Sequence, residues 1–323
     1  MLPLLLLSLA PAAEPPAFPV KPTEVRKVFA DGKHNAFTAF VKFKGQYLLA
    51  FRTAKEHNST DGDIVVLKSA DAKEWAEALK LDIDKHDDRD PQLLIVGDRL
   101  IMYIASMKGP DLITYAVTTE DGKTWSKPKA VYEEKYIVWK PIQHGKLYYS
   151  GAHKKDEVSG GKGREVHFIK SSDGIAWEKV STIRAGNWES ETTLHFEKDG
   201  TCFAFLRQKY GSPQAQILEA KAPYNEWKNR PTDVGHFSGH SIRTYGDVTY
   251  LFSRDRNGPP DNRYGQVIFT FADGKLTPYC RFPAGGDCAY AEAVRDGDNM
   301  LVSYYSTHEK QTNIYLAVVP LKK

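Results

Sequence analysis

The sequence predicts an all-β protein, a six-bladed β-propeller built from four-stranded antiparallel blades. Two repeats lead to this prediction. A turn motif with the spacing S/T-x-D-x-x-x-W occurs three times at intervals near 50 residues, and a short apolar hairpin with glycine at its turn occurs six times with a similar period. A fixed period of this length is typical of propellers, in which each repeat is a sheet that packs on its neighbours.

The turn motif occupies residues 69–75, 119–125 and 171–177, and its tryptophans are Trp75, Trp125 and Trp177. Trp227 continues the period after the Ser and Asp have been lost. Ser, Thr and Asp side chains can bond nearby backbone groups and close a tight turn. The tryptophan can then bury a large apolar area against its blade. Each copy therefore predicts the same turn at the same place in a blade.

The glycines of the apolar hairpins provide an independent count of the repeats. Each lies between two short runs of β-branched and aromatic residues, which is typical of antiparallel strands around a turn. Four strands of roughly 5–6 residues fit into one period. No 12-residue stretch has helical periodicity. Six markers predict six blades: Gly45, Gly97, Gly145, Gly200, Gly246 and Gly297.

The N-terminus predicts export. The apolar run within residues 1–13 is too short to span a bilayer, which takes about 20 residues. Ala10-Pro11-Ala12 has the pattern of a signal-peptidase site, so we expect cleavage after Ala12 or Ala13 and a secreted or periplasmic protein. Residues 14–20 then read as a Pro-rich linker and 21–323 as a single propeller domain. Because an open sheet edge invites aggregation, residues 25–29 are expected to pair with the last blade near 313–317.

Composition excludes several classes of partner. The 323 residues carry a net charge of only +3, with both signs interspersed, so the chain lacks the basic stripe of a nucleic-acid-binding protein. Three cysteines give no disulfide framework, and whether Cys280 and Cys288 pair is left open. The sequence contains no metal-binding or phosphate-binding motif. We expect no cofactor and no metal, a glycan as the partner, and a monomer.

Polar residues recur where the predicted strands meet loops, at similar positions in different blades. In a propeller the equivalent ends of the inner strands gather around the central channel, so acid, base and cation positions from several blades converge. We expect seven of these residues to line one pocket and Arg254, His308 and His57 to lie beside it. The seven are Arg52, Asp61, Asp90, Glu191, Arg207, Arg263 and Tyr290.

The turn motif resembles the Asp box of sialidases in a shorter form, and the resemblance covers the chain after the signal segment. It implies a tyrosine nucleophile paired with a glutamate, an aspartate acid/base on a first-blade loop, and arginines that clamp a carboxylate. Ala289-Tyr290-Ala291 is similar to the nucleophile segment. Glu191 and Arg207 are similar to the glutamate and one arginine, Arg263 to a second arginine, and Asp61 lies on the loop of the acid.

The end of the chain also resembles secreted sialidase-like bacterial proteins that read G-G-D-x-x-Y and S-Y-Y-S-x-H-E. One sialidase motif is missing, however. The F/Y-R-I-P segment should lie at the first strand, but no arginine occurs between Arg26 and Arg52. Arg52 is then the candidate that reaches the same space from the partner strand.

The resemblance implies a retaining exo-glycoside hydrolase that acts on a terminal, acidic sugar. A neutral tyrosine avoids charge repulsion with a substrate carboxylate, and it needs a neighbouring base because its ordinary pKa is near 10. Two alternatives stay open. Arg89-Asp90-Pro91 resembles a motif of five-bladed furanosidases, in which Asp90 would steady the transition state and Glu191 would be the acid. The other alternative is a non-catalytic secreted propeller that binds glycans or protein.

Overall fold

A computed structural model describes residues 17–156, 160–211, 213–256 and 264–322. These residues form 24 β-strands in six four-stranded antiparallel sheets, and they contain no helix. The predicted fold class and blade number are confirmed, and six blades exclude the five-bladed alternative. The predicted signal peptide and Arg263 lie outside the described residues.

The first three blades follow one another along the chain. Blade 1 contains β2 (His34–Phe43), β3 (Gln46–Ala54), β4 (Asp63–Ser69) and β5 (Ala76–Leu81). Blade 2 contains β6 (Asp87–Val96), β7 (Arg99–Lys108), β8 (Asp111–Thr119) and β9 (Lys129–Ala130). Blade 3 contains β10 (Tyr136–His144), β11 (Leu147–Lys154), β12 (Glu165–Ser171) and β13 (Glu178–Ala185).

The next two blades have the same order, and the last blade takes one strand from the N-terminus. Blade 4 contains β14 (Glu189–Phe196), β15 (Cys202–Gln208), β16 (Ala215–Ala220) and β17 (Lys228–Arg230). Blade 5 contains β18 (Ser241–Tyr245), β19 (Val248–Asp255), β20 (Gly265–Ala272) and β21 (Lys275–Phe282). Blade 6 contains β22 (Cys288–Asp296), β23 (Asn299–Glu309), β24 (Gln311–Pro320) and β1 (Glu24–Phe29).

The N-terminal strand closes the ring as predicted. β1 pairs antiparallel with β24, with Val25 opposite Ala317 and Lys27 opposite Tyr315. Closure covers an edge that would otherwise present unpaired backbone groups. The described part of the predicted linker also contacts the propeller, because the Val20 N–H donates to the Tyr279 carbonyl at 2.9 Å.

The core consists of six apolar clusters: five are each shared by two neighbouring blades, and the sixth joins blades 6 and 1 and also includes residues of blades 2 and 3. The cluster between blades 1 and 2, for example, joins Leu48 and Val66 to Leu100 and Ile104, all at most 1% exposed. This arrangement explains why a chain of this length is stable without a single large core: each sheet buries its faces against the next one. No described helix is long and apolar enough to cross a membrane.

The repeated turns have the structures that the sequence predicts. In all three copies of the turn motif, the Asp carboxylate accepts hydrogen bonds from the backbone N–H groups two and three residues later, at 2.7–3.1 Å. The residue after this Asp has a positive φ in each copy: 58° at Ala72, 69° at Gly122 and 72° at Gly174. The six hairpin glycines also have positive φ.

The first strands of successive blades contact one another and line the central channel. Two faces of the disc follow from the strand directions. We call the face where these innermost strands begin the site face, and the face that carries the hairpin turns and the three turn motifs the turn face. The loops from the second to the third strand of each blade lie on the site face.

Candidate active site

Five of the six innermost strands contain a β-bulge that leaves two residues out of register with the second strand. A bulge bends the strand and changes the direction in which a side chain points. A non-glycine residue with positive φ is uncommon and costs free energy, so its repetition at one place marks a functional region. The first bulge residue has positive φ in four blades: Phe37 (63°), Asp90 (52°), Lys140 (44°) and Tyr290 (56°).

Tyr290 and Glu191 form the centre of the site. The Tyr290 hydroxyl donates to Glu191 Oε1 at 3.1 Å, and Arg207 Nη1 donates to the same oxygen at 2.8 Å. The Gly239 N–H donates to Glu191 Oε2 at 2.9 Å. The two side chains come from blades 6 and 4, and both are buried. The structure therefore brings together three groups that the sequence placed in one pocket.

The environments of this pair move their pKa values apart. Burial alone would raise the pKa of Glu191, but the charge of Arg207 and the bond from Gly239 outweigh it and lower that pKa to about 2. Burial, with the charges of Asp90 and Glu191, raises the pKa of Tyr290 well above its ordinary value. The resting site thus holds a neutral phenol that is hydrogen-bonded to a carboxylate.

Asp90 is a second buried carboxyl group in the site. Its Oδ2 lies 3.6 Å from Arg89 Nε, and its Oδ1 has no hydrogen-bond partner within the described residues. Burial raises the pKa of Asp90, Arg89 opposes this shift, and Glu191 adds to it. Two neighbouring carboxyl groups whose pKa values are shifted in opposite directions are a common acid and base arrangement.

An ion pair crosses the channel below these groups. Lys140, from blade 3, places its Nζ 2.9 Å from Glu292 Oε2 of blade 6, and both side chains are 3% exposed. Arg243 of blade 5 lies 2.7 Å from the other oxygen of Glu292. Blades 3 and 6 are opposite each other in a six-membered ring, so the pair spans the channel.

Three arginines of blades 4 and 5 lie close enough to influence one another. Burial lowers the pKa of Arg256, and the charges of Arg207 and Arg254 lower it further. Burial and the same three cations lower the pKa of His236 to about 3, so this ring is neutral among them. Buried Nε atoms of Arg207 and Arg256 lack a hydrogen-bond partner within the described residues. Such a cluster is suited to an anionic group such as a carboxylate.

Histidine and aspartate side chains form a further cluster on the site face. Asp287 Oδ2 lies 2.6 Å from His57 Nδ1 and 2.9 Å from His34 Nε2. These three residues are the described group whose nitrogen and oxygen atoms lie close enough together, within 4.8 Å, for a metal ion. Arg254 and the Tyr305 hydroxyl already bond the other oxygen of Asp287. We therefore interpret the cluster as a hydrogen-bonded network.

The remaining predicted residues have separate positions. Arg52 is fully buried, and its guanidinium bonds Asp87 and the carbonyls of Glu56 and Ser59, so its described contacts are structural. His308 bonds Ser306 and packs on Tyr315 toward the outside of blade 6. Neither contacts the Tyr290 or Glu191 side chain within the described residues.

Asp61 lies in a depression of about 310 Å³ that also contains Asp63, Asp82 and His86, between the loops of blades 1 and 2. Its carboxylate accepts from the Lys55 N–H at 3.3 Å, and its side chain is 40% exposed. A bond from Ser59 lowers the pKa of Asp61, although burial opposes this. Its role as the acid stays a prediction.

Sequence reasoning missed several residues of the site. Arg89 lies over the Phe37 ring at 4.9 Å, and Phe37 packs on Tyr290 at 4.9 Å. Both Arg89 and Asp287 lie in sequence motifs: Arg89 directly precedes Asp90, and Asp287 belongs to the G-G-D-x-x-Y segment that ends at Tyr290. Gly239 gave no signal, because the need for glycine arises only from its contact with Tyr290: a Cβ there would lie 2.6 Å from Tyr290 Cδ2.

A wide depression of about 1050 Å³ lies on the turn face, against blades 3, 4 and 5. It is lined by hairpin turns, including Gly246 and Gly274, and by exposed ions of both signs. Volume alone would make it a candidate pocket. The Tyr290 region is the stronger candidate, because polar groups from several blades meet there and several of these groups have shifted pKa values.

No protein-family model and no curated protein sequence matches this chain. Solved structures do match. Trypanosoma rangeli sialidase in complex with sialic acid is 12% identical with a TM-score of 0.70, over 93% of this chain and 59% of that one. Penicillium chrysogenum α-L-arabinanase is 12% identical with a TM-score of 0.65, over 90% and 94%. Phage phi92 endosialidase is 10% identical with a TM-score of 0.65, over 93% and 69%.

At this level of identity, the comparisons concern the arrangement of the backbone. The chain spans about three fifths of the length of the Trypanosoma sialidase. The match nevertheless extends over nearly all of this chain, with all six blades included. The fold of this protein is therefore that of a sialidase-like six-bladed propeller.

Proposed function

We propose that this protein is a retaining exo-glycoside hydrolase that removes a terminal acidic sugar from a glycan. The single observation that carries the proposal is the hydrogen bond from the Tyr290 hydroxyl to Glu191 at 3.1 Å. A buried phenol that is hydrogen-bonded to a carboxylate can act as a nucleophile, because the carboxylate is the base that takes its proton during the attack. The similarity to structures of sialidases and an arabinanase supports the same class of reaction.

In the proposed first step, Tyr290 Oη attacks the anomeric carbon as its proton passes to Glu191. The bond to the leaving oxygen breaks, and an acid protonates that oxygen. In the second step, water attacks the same carbon and gives a proton to the conjugate base of that acid, while Glu191 returns its proton to the departing Tyr290. Two displacements at one carbon give overall retention of configuration.

The arginines favour an anionic sugar. Arg207 holds Glu191 at 2.8 Å and lowers its pKa. A substrate carboxylate that binds Arg207 would share this cation, so Glu191 would become a better base when the substrate is bound. Arg254 and Arg256 add positive charge beside it. Binding of an acidic sugar would thereby prepare the site for the chemistry.

The test uses purified protein and a panel of 4-nitrophenyl sialosides, uronides and arabinofuranosides. For the glycoside that the wild type cleaves, Tyr290→Phe should lower kcat by at least a factor of about 10³, because the attacking oxygen is lost. Tyr304→Phe is the matched control, since its hydroxyl bonds the Pro283 carbonyl within blade 6. Proton NMR of the first product formed should show retention. Normal turnover by Tyr290→Phe would refute the tyrosine mechanism.

A second candidate is a furanosidase that uses two carboxyl groups, Asp90 and Glu191. The raised pKa of Asp90 beside the low pKa of Glu191 favours it, as does the similarity to the arabinanase. It predicts that Asp90→Asn abolishes cleavage of an arabinofuranoside while Tyr290→Phe retains it. Binding of glycans without cleavage of any panel member would instead support a non-catalytic propeller.

We also propose that the protein acts outside the cytoplasm as a monomer. The apolar segment at residues 1–13 and its Ala10-Pro11-Ala12 site support export. Mass spectrometry of protein from the periplasm or medium should show a chain that begins after Ala12 or Ala13. Intact Met1 on cytoplasmic protein would contradict export, and light scattering measures the oligomeric state.

A further inference from the structure

His57 and Asp287 form a pair that the proposed reaction does not yet use. His57 lies on the loop between β3 and β4, on the site face, and its side chain is 41% exposed. Its Nδ1 is 2.6 Å from Asp287 Oδ2. Asp287 is three residues before Tyr290 in the chain. A histidine of blade 1 is therefore hydrogen-bonded to the segment that contains Tyr290, the proposed nucleophile.

Four groups from different strands and loops hold the Asp287 carboxylate in place. His34 and His57 bond Oδ2, while Tyr305 Oη lies 3.0 Å and an Arg254 nitrogen 3.2 Å from Oδ1. Burial would raise the pKa of Asp287, but the two histidines and Arg254 outweigh it and lower that pKa. An ionised carboxylate can only accept hydrogen bonds. The proton of neutral His57 is therefore on Nδ1.

This tautomer leaves Nε2 of His57 to exchange protons with a ligand. The described hydrogen bonds of the His57 ring use Nδ1 and leave Nε2 without a partner among the described residues. The carboxylate orients the ring, as a buried aspartate orients the histidine of a catalytic triad. Imidazole is the side chain that ordinarily changes its charge between pH 5 and 8. The pair therefore has the parts of a general acid and base.

The position of His57 relative to Tyr290 suits this role. The His57 ring packs edge-on against Phe37 at 5.3 Å, and Tyr290 packs against the same Phe37 ring at 4.9 Å. Phe37 is 1% exposed, and its backbone is in the bulge of β2. His57 and Tyr290 thus contact one buried ring, so the loop that carries His57 lies near a sugar bound at Tyr290.

Asp61 is on the same loop, but its contacts fit the role less well. Its carboxylate interacts with Lys55 and faces the depression between blades 1 and 2. Bonding lowers its pKa, whereas a general acid must hold its proton until the substrate needs it. His57, by contrast, is hydrogen-bonded to Asp287, which lies in the same segment as Tyr290.

We propose that His57 is the general acid and base of this site and that Asp287 is its positioning residue. The inference rests on the hydrolase function proposed above. His57 Nε2–H protonates the glycosidic oxygen as the carbon–oxygen bond breaks, so the alcohol leaves neutral and the ring becomes neutral. In the second step, neutral Nε2 takes a proton from the attacking water, the sugar gains the hydroxyl, and Tyr290 recovers its proton from Glu191.

The test compares two leaving groups on the sugar that the wild type cleaves. A benzyl alcohol leaving group needs protonation, while 4-nitrophenol leaves largely without it. His57→Gln should lower kcat/KM by about 10²–10⁴-fold for the benzyl glycoside and by less than about tenfold for the 4-nitrophenyl glycoside. Sodium azide should restore turnover of the 4-nitrophenyl glycoside and yield a glycosyl azide, because azide needs no base. Asp287→Asn should show the same leaving-group dependence to a smaller extent.

Three controls separate the possible outcomes. His86→Gln changes a histidine that bonds Ser106 outside the cluster, and it should leave both rates unchanged. If Asp61→Asn and not His57→Gln shows the leaving-group dependence, Asp61 is the acid and the His57 inference is overturned. Removal of activity by a chelator with recovery by Zn²⁺ alone would overturn it in favour of a metal. Cleavage of no panel glycoside by the wild type would overturn the proposed function itself, and with it this inference.

Discussion

Lys140 and Glu292 form an ion pair between opposite blades of the propeller, with Nζ and Oε2 2.9 Å apart in the centre of the ring. Both residues lie in innermost strands, Lys140 at the bulge of β10 and Glu292 just after the bulge of β22. Glu292 also binds Arg243. One carboxylate of blade 6 thus pairs with a cation of blade 3 and a cation of blade 5 in the centre of the ring.

We expect Glu292→Gln to destabilise the protein more than Lys140→Met. Loss of Glu292 leaves Lys140 buried without its counterion, at a cost of about 3–5 kcal/mol. Loss of Lys140 leaves Glu292 paired with Arg243, at a cost of about 1.5–3 kcal/mol. Urea unfolding of both variants measures the difference. Equal losses would show that Arg243 does not compensate Glu292 for the loss of Lys140.

Gly239→Ala should impair activity with the fold retained. The added Cβ would lie 2.6 Å from Tyr290 Cδ2 and 2.7 Å from Ala289 Cβ, so Tyr290 must move relative to Glu191. A displacement of about 1 Å can cost on the order of 10² in rate. Gly235→Ala is the control, since nothing lies within 4 Å of its Cβ position. Comparable kcat values for the two variants would contradict the prediction.

Two of the three repeated turn motifs offer a matched pair of glycines for a test of stability. Gly122 and Gly174 have φ values of 69° and 72°, so alanine at either position costs about 1–2 kcal/mol of backbone strain. A Cβ at Gly174 would also lie 2.9 Å from Ile101 Cδ1, whereas the nearest atom at Gly122 is 3.7 Å away. Gly174→Ala should therefore lose about 1–3 kcal/mol more than Gly122→Ala in urea unfolding.

Ala72 occupies the same position in the first copy of the turn motif, with φ of 58°. This turn therefore accepts alanine where there is room for it. If Gly122→Ala were as destabilising as Gly174→Ala, crowding by Ile101 would not be the cause.

Asp88 should make folding stability depend on pH. It is fully buried, its Oδ2 accepts the Ile83 N–H at 2.6 Å, and burial raises its pKa from 3.8 to about 7. The native state therefore holds a proton that the unfolded chain releases, so this contribution to stability is present below pH 3.8 and is lost as pH rises to about 7. The loss is at most about 4 kcal/mol.

Asp88→Asn removes this titration, because an amide resembles the protonated carboxyl. Its stability relative to the wild type should rise as pH increases from about 4 to about 7. Thermal melts of both proteins across this range measure the effect, and groups common to both cancel. Parallel pH profiles would show that Asp88 is not protonated in the native state.

The features that the sequence determined are local. The hairpin glycines and the Ser, Thr and Asp residues of the turn motif act on backbone within a few positions, so their number and spacing predicted six blades. Ring closure by residues 25–29 followed from the need to cover an open sheet edge, and β1 pairs with β24 as expected. Tyr290, Glu191 and Arg207 could be chosen because equivalent strand ends meet around a channel.

The tertiary structure decided which neighbouring side chain enters the pocket and which is buried elsewhere. A bulge rotates Asp90 and Tyr290 toward the centre, and no local pattern announces a bulge. Arg52 was expected in the pocket, but the carboxylate of Asp87 holds it in a buried structural network. The pairing of His57 with Asp287 joins residues 230 positions apart. Such contacts depend on how the blades close on one another, because the ring brings together partners that a period of 50 residues keeps far apart in the chain.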